Sequence, residues 1–431
     1  MEVLQETKDM TAKEQFLSHF DTQDFSFDES FSIEKREEAK KIIEDLSFPT
    51  SKDEYWKYTR TNRIVKGKYS ISIPENEMEL DLAIPSKNCI VLVNGYYSPE
   101  LSFIESAEGI LFSSLSKAKS SNEMVQKHFG SLTKKDEIFA MINTAYHQDG
   151  AVLHLGKNVQ ANEVYYIINL IDDDHILSNP RNFIFMEQGS NAKVVLKTIN
   201  SSNTGTFTNM VTEVFVEKNA QLEINKVQDE SESSFQIATE QIVQANDSTF
   251  KINTFTLSGN IVRNNLNIDS LGKNTMTYLN GLYPLKGKQH VDNHSYLLHR
   301  EPNCESHELY KGILNDQSTG VFNGKVFVHR EAQKTNAFQS NANIVMSDTA
   351  TINSKPELEI YADDVKCSHG STTGQLDDEA LFYLRARGLS KESARAVLVN
   401  AFASDVIEQI GVEAIKDEIK QFIDDNYQGI K

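Results

Sequence analysis

The stretches NAKVVLK (191–197), NAQLEIN (219–225) and NDSTFKI (246–252) open alike, with a turn residue, a small residue and then apolar residues at alternate places. Strict alternation is the pattern of a half-buried strand, since successive side chains point to opposite faces. Comparable strand starts fall at Glu163, Asn191, Asn219, Asp247, Asn274, Asn303 and Glu331, at spacings of 28, 28, 28, 27, 29 and 28 residues. A fixed period of this length marks stacked repeats. Helical repeats would need apolar spacing near 3.6, which is absent, and a sandwich would show strands without a strict period. The expectation is a mainly β chain built on a right-handed parallel β-helix, each coil holding two or three strands and burying its apolar face on its neighbours.

The tract between the repeats fits. VYYIINLI, NFIFME, KVVLKTI, TEVFVE and TFKINTFTL follow one another between Asn, Asp, Gly and Ser, and Pro180 and Pro284 are the only prolines from 150 to 300. Asn suits the corners because it tolerates left-handed backbone and hydrogen-bonds locally. The ends of such a solenoid expose strand edges that need covers, and the flanks can supply them. We divide the chain into a mostly helical region 1–148, a β-helix 149–368 and a helical region 369–431. Helical spacing is seen at Thr11–Phe20, Ile33–Leu46, Leu115–Phe129 and Asp136–Tyr146, with one strand, IVLVNG, at 90–95. In DEYWKYT (53–59), Trp56, Tyr55 and Tyr58 read as a packing cluster. The tail has a helix ending at Gly388, another capped by Ser390, and a last one over Val412–Asn426. Its apolar positions Leu381, Leu384, Ala394, Leu398, Phe402, Ile407 and Ile410 form stripes that either pack on the solenoid or receive a partner.

Composition bounds the function. A net charge of −19 over 431 residues argues against nucleic-acid or anionic-membrane partners. Three scattered cysteines make no disulfide framework. The N-terminus has no apolar leader core, and no run approaches the roughly 18 apolar residues of a membrane span. These features lead us to expect a soluble, cytoplasmic protein.

Phosphate-loop, dinucleotide and nucleophile-elbow motifs are missing, so no nucleotide is expected on this chain. His290, His294, His299 and His307 are dense, but HVDNH lacks the following Glu and lies in strand-like sequence, which favours structural hydrogen bonding. Cys304 and His307 sit in a turn and carry little as a pair. Asp363 and Asp364 are adjacent, point to opposite faces of a strand and form no dyad. In ELEIYADDVKCSHGSTTG (357–374), Cys367 and His369 are one residue apart and can project side by side. They are either a buried thiol beside a hydrogen-bonded histidine or two ligands of a metal site. Two ligands cannot close such a site, so the others would come from another chain or from sulfide.

YADDVKCSHGSTTGQLDDEALFYLRARGL (361–389), with HVDNHSYLLHREPNCESHELYKGILND (290–316), FNGKVFVHREAQKTNAFQSN (322–341) and EYWKYT (54–59), resembles the SufB/SufD family of the SUF iron–sulfur cluster assembly system. The SufD branch fits better. SufB carries a cysteine in the strand matching QSNANIVMS (339–347), where this chain has Asn341 at or near the place, and a His-Glu pair where this chain has His369-Gly370. The resemblance implies a β-helix flanked by helical domains, and a non-catalytic scaffold of a SufBCD-type complex. Its partners would be a SufB-like subunit, paired through the β-helix, and a SufC-like ATPase on the C-terminal helices; the isolated subunit would form a homodimer. His369 would offer a ligand, at the interface with SufB, to a transient iron–sulfur cluster or iron, with Cys367 secondary, and iron would enter through this chain. Two other readings stay open: a β-helix carbohydrate-active enzyme, and a homo-oligomeric structural solenoid.

Overall fold

A computed structural model describes residues 10–26, 28–73 and 84–427; residues 1–9, part of the terminus read above as leaderless, lie outside it. The chain begins with helices α1 (Ala12–Leu17), α2 (Ser30–Asp45) and α3 (Asn62–Val65). The strands β1 (Asn88–Val93), β2 (Tyr96–Ile104) and β3 (Ile110–Ser114) follow, then α4 (Leu115–Ser121), α5 (Glu123–His128) and α6 (Ile138–Tyr146). Thr11 starts α1 with a capping box: its hydroxyl accepts the Glu14 N–H while the Glu14 carboxylate reaches back to the Thr11 N–H.

From Ala151 the alternating sequence becomes strands: β4 (Ala151–Leu155), β5 (Gln160–Ile171), β6 (Leu177–Ser178), β7 (Arg181–Met186), β8 (Asn191–Asn200), β9 (Phe207–Val216) and β10 (Gln221–Asp229). Next are β11 (Phe235–Gln244), β12 (Thr249–Ser258), β13 (Ile261–Ser270), β14 (Met276–Leu285), β15 (His290–His299) and β16 (Glu305–Leu314). The series ends with β17 (Thr319–Val328), β18 (Asn336–Val345), β19 (Thr351–Ile360) and β20 (Lys366–Gly374). From β7 onward, strands consecutive in the chain alternate between two sheets. One runs β2-β1-β5-β8-β10-β12-β14-β16-β18-β20, and the other β19-β17-β15-β13-β11-β9-β7-β4-β3. All pairs from β5 to β20 are parallel, one coil apart. The expected parallel β-helix with helical flanks is therefore what the chain forms, in about eight coils.

Inward residues stack in columns. Ile224, Ile252 and Leu279 sit in register on one sheet, and Ile268 and Leu297 on the other, all fully or almost fully buried. Removing this apolar surface from water is the main favourable term, about 25 cal/mol per Å². The 28-residue period has a backbone cause. Asn219, Asp247, Asn274 and Asn303 adopt left-handed φ of 57°, 61°, 57° and 62° at corresponding corners, a conformation that Asn and Asp tolerate best among side-chain-bearing residues.

Covers sit on the outer faces. Phe16, Ile43 and Phe139 of the N-terminal region pack on Phe207, Phe235 and Ile261 of the second sheet. The tail forms α7 (Asp378–Ala386), α8 (Lys391–Ile407) and α9 (Glu413–Tyr427), so strand continues to Gly374, beyond the 368/369 boundary drawn from sequence. Val399, Ala403, Ile415 and Ile419 pack on Val195, Val227, Phe255 and Leu282 of the first sheet. Among the tail positions singled out in the sequence, Ala394, Ile407 and Ile410 are buried. In contrast, α7 buries no residue, and Phe382 and Tyr383 are 74% and 56% exposed. The last coil is also bare. β20 and β19 each end a sheet, and almost every residue of β20 is exposed.

The tryptophan segment packs differently from expectation. Trp56 lies against Phe139 and Arg263, while Tyr55 and Tyr58 are largely exposed. The contacts that matter to Trp56 are made across the domain rather than with its sequence neighbours.

Candidate functional site at the open end of the solenoid

β20 adds the final rung to the first sheet. Its register sets Cys367 beside Ala337, His369 beside Gln339 and Ser371 beside Asn341. Ala337, Gln339 and Asn341 are buried and point inward, so Cys367 and His369 continue two interior columns onto the uncovered end. Cys367 is half-buried against Ala337, Val326, Val328 and Ala362. Burial pushes its thiol pKa up, partly offset by a backbone hydrogen bond from Ala337. His369 is exposed. A soft thiol and an imidazole suit iron as cargo, and the open rung leaves space for ligands from outside the chain.

The His369 column runs inward through Gln339 to Glu308, which pairs with it in register on β16. Gln339 Nε2 donates to Glu308 Oε2 at 2.6 Å, and the Ser295 hydroxyl donates to Oε1 at 2.5 Å. Burial raises the Glu308 carboxyl to about 7, against the lowering effect of these two bonds. Sequence reading missed this column. The signal was present, because Glu308, Gln339 and His369 are each about one coil apart in the chain.

Asn341 is fully engaged inside the solenoid. Its Nδ2 donates to the Tyr283 hydroxyl (3.0 Å) and the Tyr310 carbonyl (3.2 Å), and its Oδ1 accepts from Asn343 (2.7 Å) and Ser354 (2.8 Å). The four histidines His290, His294, His299 and His307 go separate ways. His290 and His294 face the N-terminal region, bonded to Thr59 (2.8 Å) and Asp292 (2.9 Å). His299 is buried inside, 3.0 Å from the Ser306 hydroxyl, with its pKa lowered by burial to about 4. His307 is stacked between Tyr278 and Phe338 on the outside of the first sheet. Cys304 is buried beneath Ser270 and the Gly272 carbonyl. Asp363 and Asp364 lie in an exposed turn. Among the described residues, no three His, Cys, Asp or Glu side chains are grouped to hold a metal ion.

A parallel solenoid whose bare end carries a thiol and an imidazole defines a β-helix protein with metal-type donors at an exposed sheet edge. The SUF system FeS cluster assembly SufBD core-domain family model matches residues 169–402, and the SufBD N-terminal-region model matches 10–167. The chain belongs to the SufBD family, and its role is in iron–sulfur cluster assembly. It is 32% identical over 416 residues to an iron–sulfur cluster assembly SufBD family protein of Synechocystis sp., covering 92% of this chain and 91% of that one. It is 29% identical over 381 residues to the iron–sulfur cluster assembly protein SufD of Escherichia coli, covering 86% and 87%. To protein ABCI7, chloroplastic, of Arabidopsis thaliana it is 30% identical over 402 residues, covering 90% and 84%. Among the described residues no helix is long and apolar enough to cross a membrane.

Proposed function

We propose that this chain is a SufD-type, non-catalytic scaffold subunit that pairs with a SufB-like subunit through the last coil of its solenoid. A nascent cluster, or iron on its way into one, would be held between them. The observation that carries this reading is the placement of Cys367 and His369 on β20, the edge strand of the bare coil. Unpaired strand edges are templates for pairing with another chain, and here both sheets present one at the same end. His369, the more exposed, is the principal ligand and Cys367 the second; the remaining ligands come from the partner subunit and from sulfide.

The ATPase subunit would dock on α7, where Phe382 and Tyr383 lie uncovered. Motion there can reach the solenoid because α8 is tied to it: Lys311 on β16 donates to the Phe402 carbonyl (2.7 Å) and to Asp405 (2.5 Å). Replacing His369 with Ala in the complex reconstituted with SufB- and SufC-type subunits should abolish cluster assembly and leave the subunits co-eluting. An unchanged cluster yield would sink the role of the pair.

A further inference from the structure

Gln339 is 4% exposed, and its Oε1 has no hydrogen-bond partner among the described residues. Its Nε2 is committed to Glu308, whose other oxygen already accepts from Ser295, so the amide is held with its carbonyl oxygen free. Buried acceptors are rarely left unpaired, and an exception calls for a cause. The next side chain on the same column is His369, one strand spacing away, about 4.8 Å. The opposite sheet makes room for this arrangement. A Cβ on Gly324 of β17 would lie 2.1 Å from Gln339 Nε2 and 2.9 Å from Glu308 Oε2, so only glycine lets the amide occupy its place.

A histidine that ligates through one ring nitrogen generally donates its other N–H to a fixed acceptor, which sets the tautomer and the ring orientation. Gln339 Oε1 is such an acceptor, buried, immobilised and adjacent. We propose that Gln339 is the positioning residue of His369: its carbonyl oxygen accepts the N–H of the ring nitrogen turned into the solenoid and leaves the outward nitrogen with its lone pair for the metal. Glu308, Ser295 and Gly324 act through Gln339 by holding its amide. The inference rests on the reading of His369 as the interface ligand, and it adds residues from β18, β16, β15 and β17 to a site so far confined to β20.

The test uses the full-length chain labelled with ¹⁵N-histidine, with the His369 ring signals assigned by their loss in His369→Ala. In the unsubstituted protein the two ring nitrogens should show one fixed neutral tautomer. Gln339→Met, which keeps the length and removes the acceptor, should shift them to the averaged pattern of a free imidazole, and Gly324→Ala should do the same from the other sheet. Co²⁺, as a probe of nitrogen and sulfur ligation, should bind each variant roughly tenfold or more weakly. A purely structural Gln339 would change thermal stability without moving the tautomer. His369 signals unaltered in both folded variants would overturn the proposal. Full cluster yield from His369→Ala together with a tautomer that still responds to Gln339 would instead overturn the cluster role and leave the hydrogen bond standing.

Discussion

The guanidinium carbon of Arg263 lies 3.8 Å from the centre of the Trp56 indole ring. Arg263 is buried on β13, and its Nη1 is 2.6 Å from Asp292 Oδ2 on β15. Asp292 also accepts the Thr59 hydroxyl and faces His294. Burial alone would raise the Asp292 carboxyl, but Arg263 and His294 hold it well below the usual range. The EYWKYT segment is thus riveted to the outer face of the second sheet by one stacked cation and one buried carboxylate. Trp56→Ala should cost about 2–3 kcal/mol, from lost aromatic burial and a cation–π contact worth about 1–2 kcal/mol. A shift in the urea midpoint, together with faster proteolysis near residues 47–60, would register it; an unchanged midpoint would mean the rivet is idle.

Lys311 makes a comparable tie for the tail. Its side chain is 8% exposed between Asp405, the Phe402 carbonyl and the Phe402 ring, 4.6 Å away. Lys311→Met keeps the length and removes both donors. Amide exchange over residues 391–407 should accelerate by one to two orders of magnitude, given about 1–3 kcal/mol for a charged hydrogen bond, while β10 to β14 stay protected.

Stability should depend on pH through Glu308. Its carboxyl is raised by burial from 4.5 to about 7, so the folded chain binds this proton more tightly than the unfolded chain. The contribution is complete below about pH 4.5 and is lost as pH climbs to about 7. It amounts to on the order of 3 kcal/mol over that window. Glu308→Gln should flatten the fall of stability between pH 5 and 7 in chemical denaturation. Glu230, also raised to about 7 by burial, supplies a second such slope that survives the substitution. His299 works in the opposite sense: its pKa is lowered, so its share is present above 6.5 and lost as pH falls toward 4.

Phe382 and Tyr383 on α7 touch little of their own chain. Changing both to Asp should move the thermal midpoint by less than about 1 °C, as expected of surface positions, and abolish co-elution with a SufC-type ATPase. Retained co-elution would remove α7 from the docking surface.

What the sequence revealed, and what it withheld, follows from the range of the interactions. The coil period was legible because every coil needs a left-handed corner, and Asn219, Asn274 and Asn303 supply it locally. The strand start read at Asn191 is where β8 begins. β1 gave no comparable warning. It looked like a lone strand among helices, yet it joins the first sheet by pairing in parallel with β5, a contact no local pattern encodes. Trp56 could be recognised as a packing residue, but its partner Arg263 is far away in the chain. The same holds at the open end. Cys367 and His369 were conspicuous side by side, whereas Gln339 and Glu308 are ordinary residues until the register stacks them behind His369.

The bare final coil has a consequence for quantity. The N-terminal elements pack on the outer face of the second sheet, and among the described residues no strand lies beyond β19 and β20, so both sheets present an unpaired edge at that end. Unpaired edges of this kind are templates for pairing with another chain. Were two copies of this chain to pair through these edges, neither would be free for the partner subunit proposed above. The supply of the two subunits would then have to be matched, and an excess of this chain alone should depress cluster yield in the reconstituted complex rather than raise it.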